Sequence, residues 1–171
     1  MTLPVVGVFL TNEHGKLPVR STTESACWDL HACITDTTRI SVINLYNESH
    51  HRLCEQGQLT LYPGERALVP TGCIFDIPTG HSVRLHPRSG LAFKNGITLI
   101  NSQGIVDSDY VQETFVALIN HSGVPFVISH GDRIAQMEVC VVPSTTIALT
   151  HQAPQTKTNR VGGFGSTGIE S

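Results

Sequence analysis

Lysine is scarce in this chain. Only three of its eleven basic residues are lysines, and the formal net charge is −3. A protein that grips duplex DNA or another long polyanion needs a basic surface, so no direct nucleic-acid binding is expected. Small phosphorylated ligands stay open, because a few arginines in a pocket suffice for them. Cysteine pairs are missing too. Cys27, Cys33, Cys54, Cys73 and Cys140 make an odd count with no CxxC and no zinc spacing, and they read as buried apolar thiols in a reducing compartment. No apolar run approaches ~20 residues, which excludes a membrane span. Residues 1–7 lack a basic start and a long apolar stretch, so they do not read as a secretory signal. A cytoplasmic protein is expected, or a nuclear one in a eukaryotic setting. With 15 glycines and 9 prolines the chain is near average, neither collagen-like nor low-complexity, and it carries no internal repeat.

What is abundant is branching at Cβ. Val, Ile and Thr total 47 residues, against 33 for Ala, Leu, Glu and Lys, and this balance favours a mostly-β fold. A chain of 171 residues fits one domain that buries roughly 70% of its unfolded surface. Short apolar runs recur between turn signals. Leu59–Pro70 is a strand, a Pro63-Gly64 turn and a second strand; Gly72–Ile77, His81–His86, Ile97–Ile100, Thr114–Ile119, Pro125–Ile128 and Ile134–Val142 are further strands. Pro87–Asn95 is the one plausible helix. Residues 36–58 mix apolar and polar residues without a clear period, and His50-His51 within them reads as a solvated loop. The expected domain spans 1–150. Residues 151–171, rich in Gly, read as a mobile C-terminal arm.

Four segments carry candidate chemistry. In Asn101–Tyr110, Asp107 and Asp109 stand two apart after Gly104. On a strand they would share a face and either hold a cation together or divide base and structural roles; in a surface turn they would cap backbone amides. Pro87-Arg88-Ser89-Gly90 is either an anion cradle at a helix start or an ordinary capped entry. Gly131-Asp132-Arg133-Ile134-Ala135-Gln136 reads as a turn entering a strand, with Asp132 and Arg133 in structural turn contacts. The tail Gly162–Gly168 contains a literal GxGxxG, but no βαβ unit surrounds it and it lacks the Walker lysine. It is either a plain Gly/Ser tail or a flap whose amides approach phosphate, with Phe164 over a flat base.

Each segment alone is modest, but their order is specific. Ser25-Ala-Cys-Trp-Asp29-Leu, Pro87-Arg-Ser-Gly-Leu-Ala92, Gly104-Ile-Val-Asp107-Ser-Asp-Tyr110, Gly131-Asp-Arg-Ile-Ala-Gln136 and Gly162-Gly-Phe-Gly-Ser-Thr-Gly168 resemble the five ordered motifs of the trimeric dUTP nucleotidohydrolases (dUTPases). Pro63–Gly72 is similar to that family's second hairpin, and the resemblance covers about residues 19–168. It implies a jelly-roll-like, distorted β-barrel with one short helix, in a homotrimer whose active sites are shared between subunits. It also implies Mg²⁺-dependent hydrolysis of dUTP to dUMP and pyrophosphate, a reaction that limits uracil in DNA and supplies dUMP for dTMP synthesis.

By the same resemblance Asp107 is the base for the attacking water, and Asp29 holds the metal through water. Arg88, Ser89 and Gly90 bind the polyphosphate, and Gln136 contacts phosphate from a neighbouring subunit. Asn101, with backbone at Gly104 and Ile105, reads the uracil, and Tyr110 packs on the deoxyribose. Arg160 and Ser166-Thr167 clamp the γ-phosphate, with Phe164 over the uracil and Gly165 as a further substrate-binding residue.

The chain departs from the family in four places. Cys27 stands where Gly is usual, and Val111-Gln112 replaces Arg-Gly or Gln-Gly. Arg160 is one residue nearer Phe164 than is usual, and residues 39–58 form an apparent insertion. The insertion is either a surface excursion or a hairpin arm that binds a protein partner. A dCTP deaminase shares the fold, but its acid/base set has no match here. A preference for 5-modified dUTP and a regulatory binding protein on the same scaffold are the other readings.

Overall fold

Short apolar runs rich in β-branched residues, broken by turn signals, favour short strands, and the backbone answers with many of them. The protein, here a computed structural model describing residues 4–159, has thirteen strands and one helix among those residues. They are β1 (Gly7–Leu10), β2 (Trp28–His31), β3 (Arg39–Ile43), β4 (Ser49–Leu53), β5 (Gln58–Leu61), β6 (Arg66–Pro70) and β7 (Cys73–Asp76). After these come β8 (His81–His86), α1 (Ser89–Asn95), β9 (Ile97–Leu99), β10 (Gly104–Val106), β11 (Phe115–Asn120), β12 (Phe126–Ser129) and β13 (Arg133–Val141).

The strands form four antiparallel sheets: β1–β7, β10–β8–β13–β2, β4–β3–β6–β11–β9, and β12–β5. Their inner faces pack one core around Leu30, Leu61, Val69, Phe75, Val83 and Leu118. Cys33, Cys54 and Cys73 are buried in it as free thiols, and burial pushes Cys73 up to about 11. Cys27 and Cys140 are half-buried. No helix among the described residues is long and apolar enough to cross a membrane.

The stretch without a clear period is a hairpin built into the sheet. In β3, Ile40 and Val42 are buried, and Val42 and Ile43 pair with Ala67 and Arg66 of β6. A surface excursion is therefore the wrong description of residues 39–43. His50 and His51 lie on β4, opposite Val42 and Ser41, and not in a loop. Arg52 ties β4 to the Pro63-Gly64 turn. Its Nη1 and Nη2 donate to Glu65 Oε2 (2.8 Å) and Oε1 (2.7 Å), while its guanidinium lies 5.2 Å from the Tyr62 ring centre. Burial alone would raise the Glu65 carboxyl; the bonds from Arg52 and the Tyr62 N–H outweigh it and hold Glu65 below its ordinary value.

The pairing of β13 with β2 is irregular. It runs from Arg133↔His31 to Ala135↔Leu30, so β13 carries one extra residue. This β-bulge lets Ile134 and Ala135 both turn into the core and puts Arg133 on the same face as Gln136.

Candidate active site

Asp29 sits in the middle of β2 with its side chain only 3% exposed, a costly place for a carboxylate unless it is paired. Three hydrogen bonds and one ion pair surround it. Gln136 Nε2 (3.2 Å) and Arg88 Nε (3.4 Å) reach Oδ1; Ser21 Oγ (3.1 Å) and Arg133 Nη1 (3.1 Å) reach Oδ2. The sheet sets this up. Gln136 is opposite both Asp29 on β2 and His86 on β8, so Arg88, two residues past His86, arrives beside the same carboxylate. Arg88 Nη1 also donates to the Arg133 carbonyl (2.8 Å), and its Nη2 has no partner among the described residues.

Burial raises the Asp29 pKa, but the bonds from Ser21, Gln136 and Arg133 and the Arg88 charge prevail and hold it below the ordinary 3.8. A depressed folded value stabilises the protein fully above the unfolded value, and that stability is lost as pH falls through the folded one. Asp29→Asn is expected to flatten the acid limb of the stability profile below about pH 5. At neutral pH it should cost about 1–3 kcal/mol, less than a fully buried pair because both guanidiniums are partly exposed. Urea denaturation at stepped pH reads this out, and an unchanged acid limb would contradict it.

The residues after Arg88 open α1. Arg88 is its N-cap with no side-chain capping bond, so Ser89 does not cap the helix as an ordinary entry would; Ser89 and Gly90 are exposed, and a Cβ at Gly90 would meet nothing. The helix closes at Gly96, whose φ of 67° and tight approach to Ser122 N demand glycine.

A second group lies on β10 and its flanks. Asn101 is exposed in the turn before β10, and a Cβ at Gly104 would sit 3.3 Å from its Nδ2 and 3.1 Å from Leu85 Cβ, so glycine leaves room for the amide. Ile105 is exposed on the outer face. Strand pairing ends at Val106. Asp107 and Asp109 therefore do not share a strand face: Tyr110 N–H donates to the Asp107 carbonyl (3.1 Å) and closes a turn. Neither carboxylate caps a backbone amide among the described residues, so the capped-turn reading fails as well. Asp107 is exposed, and Tyr110 Oη donates to the Glu113 carbonyl (3.1 Å).

The two groups stand apart. Val106, the residue before Asp107, is opposite Val83 at the start of β8, whereas Arg88 follows the end of β8; five steps of roughly 3.3 Å separate them by about 16 Å. Asp29, Arg88 and Gln136 are thus brought together; Gln136, expected from a neighbouring subunit, stands beside Asp29 of its own chain, because β13 pairs with both β2 and β8. Asp107 and Tyr110 are not brought to them. Arg160, Phe164, Gly165, Ser166 and Thr167 lie outside the described residues.

Sequence reasoning missed Ser21 and misread Arg133. Asp132 does make a turn contact, accepting from Ser129 N–H (2.8 Å), but Arg133 belongs to the Asp29 group. Counting by twos back from Gln136 puts residue 133 on the opposite face, and only the bulge reverses it.

A buried carboxylate that pairs with two arginines, one of them with free N–H groups, is an arrangement able to bind phosphate. Residues 51–168 match the dUTPase family. A deoxyuridine 5′-triphosphate nucleotidohydrolase of Rhizobium rhizogenes is 45% identical over 159 residues, covering 91% of this chain and 89% of its own. Among solved structures, the Staphylococcus bacteriophage 80alpha dUTPase with dUpNHpp aligns at TM-score 0.76 and 17% identity, covering 96% of this chain and 99% of that one. A dUTPase mutant from phage phi11 of S. aureus, solved with a coordinated structural Mg(II) ion, aligns at TM-score 0.68 and 17% identity over 86% and 97% of the two chains. The likeness to these structures carries the jelly-roll barrel fold. The sequence match carries the rest: the chain belongs to the dUTPase family.

Proposed function

We propose that this chain works by water attack on the α-phosphorus of dUTP, with Arg88, Ser89, Gly90 and Gln136 holding the polyphosphate and Asp107 taking the proton of the water. The overall reaction, dUTP to dUMP, is that of its relatives, and the chain is a dUTP diphosphatase. The observation that carries the reading is the Asp29 group. Its carboxylate pairs with Arg88 Nε and Arg133 Nη1, so both guanidiniums are partly oriented before any ligand arrives, which lowers the reorganisation needed in the transition state.

The residues also fit a hard cation of limited kind. No cluster of three or more His, Cys, Asp or Glu groups that could hold a metal occurs among the described residues. A single carboxylate cannot cage Mg²⁺, but it suffices for an ion that keeps its waters and arrives on a triphosphate. Asp29 would then contact it through a water, and the ion when bound would offset charge on the phosphates. Asn101, Gly104, Ile105 and Tyr110 form the base and sugar pocket. Tyr110 leaves no room for a ribose 2′-hydroxyl, and Asn101 supplies hydrogen bonds that cytosine leaves unmet.

The separation of about 16 Å along β8 supports a site shared between copies, with Asp107 of one facing Arg88 of another, as in the homotrimer that the family resemblance implies. A protein partner at the inserted hairpin would meet Leu45 and Tyr46, both exposed at its tip. The chemistry suits a cytoplasmic nucleotide pool.

Pyrophosphate release from dUTP, dCTP, dTTP and UTP in Mg²⁺ tests this function. Turnover of dUTP at about 10²-fold or more over the other three is expected. Equal turnover of UTP would remove the sugar role of Tyr110, and ammonia release from dCTP would replace hydrolysis with deamination.

A further inference from the structure

The Asp29 group continues past Arg133 into residues with no part in the proposed chemistry. His31 is opposite Arg133 in the β2–β13 ladder, and its Nδ1 is buried with no hydrogen-bond partner. The Gly131–Arg133 turn is stitched to the end of β2 by Gly131 N–H to the Ala32 carbonyl and Ala32 N–H to the Asp132 carbonyl, both 2.8 Å. Against that turn lies an ammonium: a Cβ on Gly131 would collide with Lys16 Nζ, so the Lys16 side chain is folded back over the backbone. Lys16 has no carboxylate partner among the described residues. Gly131 is hydrogen-bonded to Ala32, the residue after His31, and stands two residues before Arg133, so the Lys16 ammonium lies at the same end of β2 as the imidazole. Lys16, Arg88 and Arg133 face two carboxylates, Asp29 and Asp132, and Asp132 already accepts from Ser129. One positive charge is left over among these five groups.

We propose that Lys16, beside the His31 imidazole, forms a distal polyphosphate subsite that holds the terminal phosphates of the substrate and the pyrophosphate that leaves. The inference rests on the dUTP-hydrolysis reading. It adds a binding determinant from the segment between β1 and β2. Arg88 and Arg133 are fixed by Asp29 and take the phosphates nearest the scissile bond. Lys16 is held only by packing on Gly131, and it extends the cationic track by one ammonium to the end of the chain of phosphates.

The test is calorimetric titration of the full chain with inorganic pyrophosphate plus Mg²⁺, and separately with dUMP, for wild type, Lys16→Met and Lys16→Arg. Lys16→Met should weaken pyrophosphate about tenfold and make its salt dependence shallower, while leaving dUMP unchanged. Lys16→Arg should retain most of the affinity. Unchanged pyrophosphate affinity in Lys16→Met, equal loss of pyrophosphate and dUMP, or no measurable pyrophosphate binding by wild type would each overturn the subsite. Turnover of dUTP by the same wild-type preparation keeps the two readings apart. Its absence would sink hydrolysis itself, whereas intact turnover with an indifferent Lys16 would sink only the subsite.

Discussion

Asp107→Asn is expected to lower kcat for dUTP by about 10²–10⁴-fold while KM and dUMP affinity move by no more than a few-fold. Asn matches the size of Asp and keeps one carbonyl acceptor, so it can still orient a water. What it cannot do is take the proton as the oxygen–phosphorus bond forms. Asp107 is exposed, at the end of β10, and its side chain makes no hydrogen bond or ion pair among the described residues, so the substitution disturbs no structural contact. Loss of turnover cannot then be ascribed to unfolding, which an unchanged melting temperature would verify. Asp29→Asn is the instructive contrast. It removes the counter-charge of two arginines, so stability and polyphosphate affinity should fall together. Asp107→Asn with wild-type kcat would leave water activation to positioning alone, and another base would have to be sought.

How much of the fold and site is legible in the sequence depends on whether local pattern and tertiary outcome agree. Where strands alternate and end at Pro-Gly or Gly turns, as from Leu59 to His86, period and turn chemistry point the same way and the strands form where the pattern puts them. The short helix after Pro87 is equally readable. Three features are not. β4 is Ser-His-His-Arg-Leu, with no apolar alternation; it is a strand because β3 offers it a ladder and Arg52 reaches Glu65, a contact across 13 residues. β10 is three residues long, too short for a period, so the spacing of Asp107 and Asp109 suggests a shared strand face that a turn denies them. Arg133 is displaced by one bulge residue. The order of the motifs still holds Asp29, Arg88 and Gln136 together, because register in a half-buried sheet is fixed by the core and carries the outer face with it.

Mixing two inactive variants should restore activity, and the geometry makes this the sharper expectation. Arg88→Ala keeps Asp107, and Asp107→Asn keeps Arg88. If each site takes its Asp29–Arg88–Gln136 group from one copy and its Asp107 from a neighbour, a site works when the first copy carries Asp107→Asn and the second carries Arg88→Ala. After equimolar unfolding and co-refolding, random assembly meets that condition at about a quarter of the sites, so about 25% of wild-type kcat is expected per site. Simple mixing without subunit exchange should give nothing, and the recovery should appear as exchange proceeds. The contrast is large because each parent is nearly inactive. A site confined to one chain predicts no recovery at any ratio, since every chain then carries a lesion. That outcome would require Asp107 to cross the length of β8 to reach Arg88. β10 is hydrogen-bonded to β8 along Gly104–Val106, which holds Asp107 at the far end. Closing the gap would mean breaking that ladder, so if Asp107 and Arg88 serve one site, recovery in the mixed assembly is the expected result.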